Sequence, residues 1–168
     1  MIDWNTIISN LKNGKIINVD RNAARERGWP ESNPEYLSIL ALWKSKNFNT
    51  ASVKWTNYYD TKDIELEIAQ QVSITPIRSW ISCVEPGYMT GYHYDIDDNE
   101  QEYLKNGTLK RYTVFISEPA VGHVFILGKD YYFNQLPGTI LKWDNYRDWH
   151  NGINGGLENK YMFHIIGY

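Results

Sequence analysis

The feature that most constrains the fold is a change of texture at Pro76, after which short apolar runs alternate with turn residues. Pairs such as Pro86-Gly87 and Asn106-Gly107 separate the runs, as expected for antiparallel strands with tight connections. The runs that we predict to be strands cover residues 77–84, 88–95, 109–117, 123–127, 131–136, 139–143 and 160–166. About seven short strands in about 90 residues predict a β-barrel or a β-sandwich.

The first 75 residues have a different pattern, which predicts mainly helix. Asp3 can cap a short helix through Leu11, whose apolar residues recur at helical spacing. Two further helices are predicted over residues 35–46 and 61–72, with a strand near residues 52–58 between them. We therefore expect one domain over residues 1–168: residues 1–75 form a mainly helical support, and residues 76–168 form the β core.

Charge and cysteine content limit the classes of partner and compartment. The net charge of -3 provides no general attraction to phosphate, so nucleic acid is not an expected partner. One cysteine excludes an internal disulfide framework and fits a reducing compartment. Neither a signal peptide nor a membrane-length apolar run is evident, so a cytoplasmic protein without membrane contact is expected.

Three residues have the types and spacing of a metal site. In an extended segment His93 and Asp95 point to the same side, so an imidazole and a carboxylate can meet at one point. A third candidate, His150, lies 57 positions later (150 minus 93). Two histidines and one carboxylate on one face of a metal are the arrangement of non-haem iron(II) oxygenases. A His-x-Asp pair alone is weak evidence, because any tyrosine-rich strand can contain one.

Lys160 follows His150 by ten positions, across Gly155-Gly156. If Lys160 begins a strand antiparallel to the one that contains His150, it shares a face with residues 162, 164 and 166. That face should point inward, where a lysine is costly unless it meets an anion such as a dicarboxylic co-substrate. The alternative places Lys160 outside and residues 161, 163 and 165 inside, and alternation alone cannot decide between the two.

Taken in order, these segments resemble a known family. The matching elements are YMTGYHYD at residues 88–95, RYTVFI at 111–116, LPGTI at 136–140, His150, and Lys160 ten residues later. Together they are similar to the double-stranded β-helix of the 2-oxoglutarate-dependent oxygenases, in particular to the prolyl 4-hydroxylase-like and aspartyl/asparaginyl β-hydroxylase-like branches. The resemblance covers residues 77–168 and implies a jelly-roll, cupin-like barrel preceded by helices.

The resemblance also implies roles for individual residues. His93, Asp95 and His150 would be iron(II) ligands, and Lys160 would bind the far carboxylate of 2-oxoglutarate. Dioxygen would be the second co-substrate. Thr113 and Tyr88 match positions that line the co-substrate pocket, although Tyr88 is nearer to the first histidine than in prolyl enzymes. The presence of Asp95 and Lys160 favours the prolyl-type pattern.

The implied activity is hydroxylation of an amino acid, a peptide or a protein side chain. Arg111, Trp80 and Arg78 are candidate substrate-binding residues, although Arg111 on a solvated edge and ordinary packing of Arg78 and Trp80 remain alternatives. His164 is expected to be a hydrogen-bonded core histidine. The acidic residues among positions 95–102 are expected to form a solvated lid.

Two other functions remain open. One is a cupin-like metal-binding or structural module without oxygenase turnover, and the other is a zinc hydrolase with a similar site. Lys160 discriminates against the module, because such a barrel needs no inward cation ten residues after a metal ligand.

Overall fold

A computed structural model describes residues 2–16, 34–47, 57–95, 106–145 and 147–168. Most of the strand predicted near residues 52–58, and the acidic residues after Asp95, lie outside these ranges. No helix among the described residues combines the length and the apolar character needed to cross a membrane.

Three described helices support the β core: α1 (Trp4–Lys12), α2 (Pro34–Ser45) and α3 (Lys62–Val72). The side chain of Asp3 accepts a hydrogen bond from the backbone nitrogen of Thr6 at 3.2 Å, which caps α1 as predicted. α3 ends at Val72, and the residue that caps it, Ser73, adopts a left-handed conformation (φ 53°) before the chain enters the sheet. The three predicted helices are therefore confirmed, with bounds that differ by one residue.

The strands of the described residues form two antiparallel sheets. They are β1 (Asn57–Tyr59), β2 (Pro76–Val84), β3 (Lys110–Phe115), β4 (His123–Leu127), β5 (Asp130–Tyr132), β6 (Ile140–Lys142), β7 (His150–Asn154) and β8 (Lys160–Gly167). The larger sheet has the order β1-β2-β8-β3-β6, and the smaller has the order β5-β4-β7. Met89 and His93 pair with β7 and extend the smaller sheet by one short segment. This is a mainly β, jelly-roll barrel with N-terminal helices, so the predicted fold class is confirmed.

Most strand bounds differ from the predictions by one or two residues, and three differences are larger. Residues 88–95 do not form a continuous strand: their pairing with β7 consists of isolated bridges at Met89 and His93 and of backbone bonds of Tyr88 and Thr90. The strand predicted over 131–136 ends at Tyr132, just before Asn134 adopts a left-handed conformation (φ 55°). β7 was not among the predicted runs, because its sequence HNGIN has a single large apolar residue.

β8 explains why alternation could not decide the orientation of Lys160: the strand is buried on both faces. Tyr161, Phe163 and Ile165 pack beneath the helices in one cluster with Ile68 of α3. The residues of opposite parity, from Lys160 onward, face the interior of the barrel, where Met162 and His164 line a cavity. The inward orientation predicted for Lys160 is therefore the one observed, and the outward alternative is wrong.

Candidate metal centre

The two histidines of the predicted metal site lie directly opposite each other across the smaller sheet. The backbone nitrogen of His93 donates to the carbonyl of His150 at 3.0 Å, and that of His150 donates to the carbonyl of His93 at 2.7 Å. The centres of the two imidazole rings are 4.4 Å apart. Antiparallel pairing thus brings together residues that are 57 positions apart in the sequence.

A backbone carbonyl orients each imidazole. Nδ1 of His93 is bonded to the carbonyl of Gly91, and Nδ1 of His150 to the carbonyl of Asp148 at 3.0 Å. Because a carbonyl only accepts, each Nδ1 is the donor, and each Nε2 keeps its lone pair in the neutral ring. This is the tautomer that metal-binding histidines adopt when their second nitrogen is held by the protein.

Asp95 completes the cluster. Its Oδ1 is 3.6 Å from Nε2 of His93, and its Oδ2 is 3.9 Å from Nε2 of His150. Two atoms that each bind one ion at about 2.1 Å are at most about 4.2 Å apart, so both separations suit a shared ion. One ligand atom from each of the three residues lies within 4.8 Å of the others. The side chains therefore fit a divalent metal with small adjustments.

Burial favours the neutral form of His150, which is the form that binds a metal. His150 is only 6% exposed, and its ring packs edge-on against Trp143 with centres 4.6 Å apart. Burial and the neighbouring His93 lower the pKa of His150 well below 6.5, and they outweigh the opposing effect of Asp95. Protons therefore do not compete for this nitrogen at neutral pH.

Arg111 is the counter-ion of Asp95 in the absence of a metal. The guanidinium donates to Oδ2 of Asp95, and it lies 3.7 Å from the centre of the Trp143 ring. Burial alone would raise the pKa of Asp95, but Arg111 and the two histidines outweigh it and hold this pKa well below 3.8. The carboxylate is therefore ionised and available to a metal, although it is already paired with a cation.

A polar chain runs beside the cavity that contains this cluster. The indole nitrogen of Trp143 donates to the hydroxyl of Thr113 at 2.9 Å, and that hydroxyl is 3.0 Å from Nδ1 of His164. Nε2 of His164 is 3.0 Å from the hydroxyl of Ser82. His164 is thus a hydrogen-bonded interior histidine, as expected, and it also faces the cavity. The described residues that line this cavity are Trp80, Ser82, Val84, Thr90, His93, Asp95, Arg111, Phe125, His150, Gly152, Met162 and His164.

Lys160 is buried on the interior side of β8, but it is not among the residues that line this cavity. It is 3% exposed, its Nζ donates to the backbone carbonyl of Val124, and it lies 5.6 Å from the centre of the Phe125 ring. Burial lowers the pKa of Lys160 from 10.5 to about 7. The ammonium thus occupies a position that a bound anion would stabilise.

The remaining predicted residues have different relations to the cavity. Trp80 lines it and stacks on the ring of His164 at 5.1 Å. Arg78 lies one layer outward, with its guanidinium 4.8 Å from the Trp80 ring centre. Thr113 is fully buried behind His164, whereas Tyr88 is 37% exposed and is not among the lining residues. The proposed roles of these four residues stay predictions.

Seven of the described lining residues were not assigned a site role from the sequence: Ser82, Val84, Thr90, Phe125, Gly152, Met162 and His164. Ser82 and His164 share their strand parity with Trp80 and Lys160, so the face assignment could have identified both. Thr90 and Gly152 had no comparable signal, because they line the cavity only through the pairing of residues 88–93 with β7.

Comparisons with known proteins give structural similarities only. No protein-family model matches the sequence, and no curated protein matches it significantly. Among solved structures, the plu4264 protein from Photorhabdus luminescens is similar with a TM-score of 0.43 and 9% identity, over 70% of this chain and 79% of that one. A predicted oxalate decarboxylase from Thermotoga maritima has a TM-score of 0.43 and 12% identity, over 67% and 79%. A cupin-2 domain from Rhodospirillum rubrum has a TM-score of 0.41 and 7% identity, over 71% and 64%.

Proposed function

We propose that this chain is an iron(II)- and 2-oxoglutarate-dependent oxygenase that hydroxylates an amino acid, a peptide or a protein side chain. The observation that carries the proposal is the buried Lys160, on the interior face of a barrel that also holds a two-histidine, one-carboxylate cluster. Such a cluster leaves coordination positions open for a co-substrate and for dioxygen. A cationic side chain buried in the same barrel is suited to bind the second carboxylate of a ligand whose first carboxylate binds the metal.

In this proposal His93, Asp95 and His150 hold the iron. With 2-oxoglutarate and dioxygen bound, the iron supplies an oxidation in which the keto acid loses carbon dioxide to give succinate and the substrate C–H becomes C–OH. One oxygen atom of dioxygen enters succinate and the other enters the product. The protein orients the ligands through the backbone carbonyls of Gly91 and Asp148.

Lys160 binds the far carboxylate of 2-oxoglutarate in this proposal. The ammonium of Lys160 is buried beside Val124 and Phe125, so it has lost the hydration that stabilises its charge in the unfolded chain. A bound carboxylate would replace that lost stabilisation. The polar chain of Ser82, His164 and Thr113 lies along the same interior and provides hydrogen-bonding groups. In this proposal Thr113 does not contact the co-substrate itself, but orients the ring of His164 through their hydrogen bond.

The substrate is proposed to enter beside Arg111 and Trp80. Both side chains line the cavity, and Arg111 contacts the carboxylate of Asp95. A metal that takes over Asp95 would leave the guanidinium able to bind a substrate carboxylate. The guanidinium of Arg78 lies 4.8 Å from the centre of the Trp80 ring and adds a second positive charge beside this residue.

A second candidate function is a cupin-like metal-binding module without oxygenase turnover. The ion pair between Arg111 and Asp95 favours it, because this carboxylate is already neutralised and a metal must compete with the guanidinium. In this alternative Lys160 serves the packing of the barrel through its bond to Val124.

The two candidates differ in their response to 2-oxoglutarate. Protein loaded anaerobically with iron(II) is titrated with 2-oxoglutarate while its visible absorption is recorded, and succinate is then measured after oxygen is admitted. We expect 2-oxoglutarate to produce a new absorption band in the wild-type protein. The band should be weaker in Lys160→Met and unchanged in the control Lys142→Met, because Lys142 lies at the exposed end of β6. Iron binding without a band or succinate, with any candidate substrate, would support the module instead. Separately, the metal content of protein purified without oxygen, before any iron is added, distinguishes iron from the zinc expected of a hydrolase.

A further inference from the structure

The guanidinium of Arg111, which lines the cavity, lies over two indole rings. It is 3.7 Å from the centre of the Trp143 ring and 5.5 Å from the centre of the Trp80 ring. An aromatic face attracts a guanidinium, most strongly where water is excluded, and Arg111 is only 2% exposed. The two rings therefore hold this cation in addition to the carboxylate of Asp95.

The position of the Trp143 ring does not depend on Asp95. The backbone nitrogen of Trp143 donates to the carbonyl of Arg111 at 3.0 Å, which fixes the two residues side by side. The indole nitrogen donates to the hydroxyl of Thr113 at 2.9 Å, which fixes the plane of the ring. The ring should therefore keep the guanidinium at the cavity when Asp95 binds a metal.

A divalent metal would change the charge balance of the cavity. The opposite charges of Asp95 and Arg111 cancel in their ion pair. A divalent ion held by Asp95 and two neutral histidines therefore leaves two positive charges uncompensated. Because buried charges without a counter-ion are costly, an anion that binds together with the metal is favoured. The guanidinium of Arg111 provides hydrogen-bond donors in a geometry that suits a carboxylate.

We propose that a metal at His93, Asp95 and His150 makes Arg111 available to the carboxylate of the substrate, so that metal and substrate bind cooperatively. The inference rests on the proposed function and specifies its substrate class, a molecule with a carboxylate near the carbon that is oxidised. In the proposed function Lys160 neutralises the far carboxylate of 2-oxoglutarate, so one positive charge remains for the substrate. Without a metal, Asp95 occupies the guanidinium and excludes other carboxylates.

The test measures the affinity for manganese with acetate as the probe, without 2-oxoglutarate or oxygen. The Kd is determined from the electron paramagnetic resonance signal of free Mn²⁺, in sodium acetate and in sodium chloride at equal ionic strength. Because coupling between two ligands is reciprocal, acetate should strengthen manganese binding to wild type about fivefold or more. The gain should be absent in Arg111→Met and retained in Arg147→Met, since Arg147 pairs with Glu35 at the surface.

Three outcomes would contradict these expectations in different ways. An equal gain in Arg111→Met would overturn the inference, since acetate would then bind the metal and not the guanidinium. A wild type that binds manganese equally well in both salts would also overturn it, and the proposed function would stand. A wild type that binds no manganese would overturn the metal site, and with it both proposals.

Asp95→Asn provides a second test that does not require Arg111→Met to fold. This variant lacks the carboxylate that occupies the guanidinium, so acetate should raise its Tm above the value in chloride without any metal. Metal-free wild type should show no such increase, nor should Asp130→Asn, whose side chain is exposed at the start of β5. Equal Tm values of Asp95→Asn in the two salts would overturn the inference.

Discussion

The guanidinium of Arg111 donates a hydrogen bond to the carboxylate of Asp95 in the interior of the barrel, where the two side chains are 2% and 13% exposed. The same carboxylate lies within 4 Å of both histidine Nε2 atoms. A metal ion bound by the two histidines would therefore compete with the guanidinium of Arg111 for Asp95. We expect metal binding and the stability of the metal-free protein to be coupled through this carboxylate.

Replacement of Arg111 by methionine should destabilise the metal-free protein and strengthen metal binding. Removal of one partner from a buried ion pair costs about 3–5 kcal/mol, because the remaining charge is uncompensated. A divalent metal supplies the missing positive charge, so the increase in Tm on addition of manganese should be larger than in wild type. Arg147→Met is the control, since Arg147 pairs with Glu35 at the surface. Weaker manganese binding in Arg111→Met would contradict the competition.

Replacement of His150 by alanine should abolish the stabilisation of the protein by divalent metals. A ligand at about 100 times its Kd raises the free energy of unfolding by about 2.7 kcal/mol, and this increase should be absent in the variant. His123→Ala is the matched control, because His123 is also buried but bonds the carbonyl of Glu158, away from the cluster. Differential scanning fluorimetry with manganese, iron(II) and zinc gives the measurement. Equal metal stabilisation of His150→Ala and wild type would argue against the site.

Most of the fold was predictable because apolar periodicity and turn residues act locally. The strands that became β2, β3, β4 and β8 contain dense apolar runs, and the helix cap at Asp3 depends on a bond three residues along the chain. β7 escaped prediction because its residues are held by long-range pairing with β4 and with residues 88–93. Pairing of this kind leaves no periodic signal in the strand itself.

The candidate site was predictable to a similar degree. His93, Asp95 and His150 have recognisable residue types and spacing, and the structure brings them together. The ion pair of Asp95 with Arg111 was not predictable, because it depends on how β3 lies against the segment after His93.

The burial of Lys160 should make stability depend on pH in a defined direction. Its pKa is lowered from 10.5 to about 7 in the folded protein, so between these values the unfolded chain binds a proton that the folded chain does not. Stability should therefore rise with pH from about 7 to about 10 relative to Lys160→Met, in which this contribution is absent. Below pH 7 the difference between the two proteins should be constant. Urea unfolding of both proteins across this range provides the measurement, and parallel pH profiles would contradict the prediction.

The affinity for 2-oxoglutarate should also depend on the protonation of Lys160, but it should fall as the pH rises. Only the ammonium form binds a carboxylate, so affinity should fall above pH 7 by about tenfold for each pH unit. Lys160→Arg keeps its charge and should retain its affinity between pH 7 and 9. Calorimetric titration of manganese-loaded protein measures both profiles. A flat profile for wild type would show that Lys160 does not bind the ligand.

The N-terminal helices should support the metal site through Trp43 of α2. Its indole nitrogen donates to the carbonyl of Tyr92 at 2.9 Å, and its ring fills the space in front of Gly91, where a Cβ would come within 2.0 Å of the Trp43 ring. The carbonyl of Gly91 in turn orients His93. Gly91→Ala should therefore destabilise the protein by about 1–3 kcal/mol and weaken manganese binding, because the ring or the segment must move. In a Trp43→Ala background the same substitution should cost much less, and a double-mutant cycle of unfolding free energies measures this coupling. An equal cost in both backgrounds would exclude the contact as its origin.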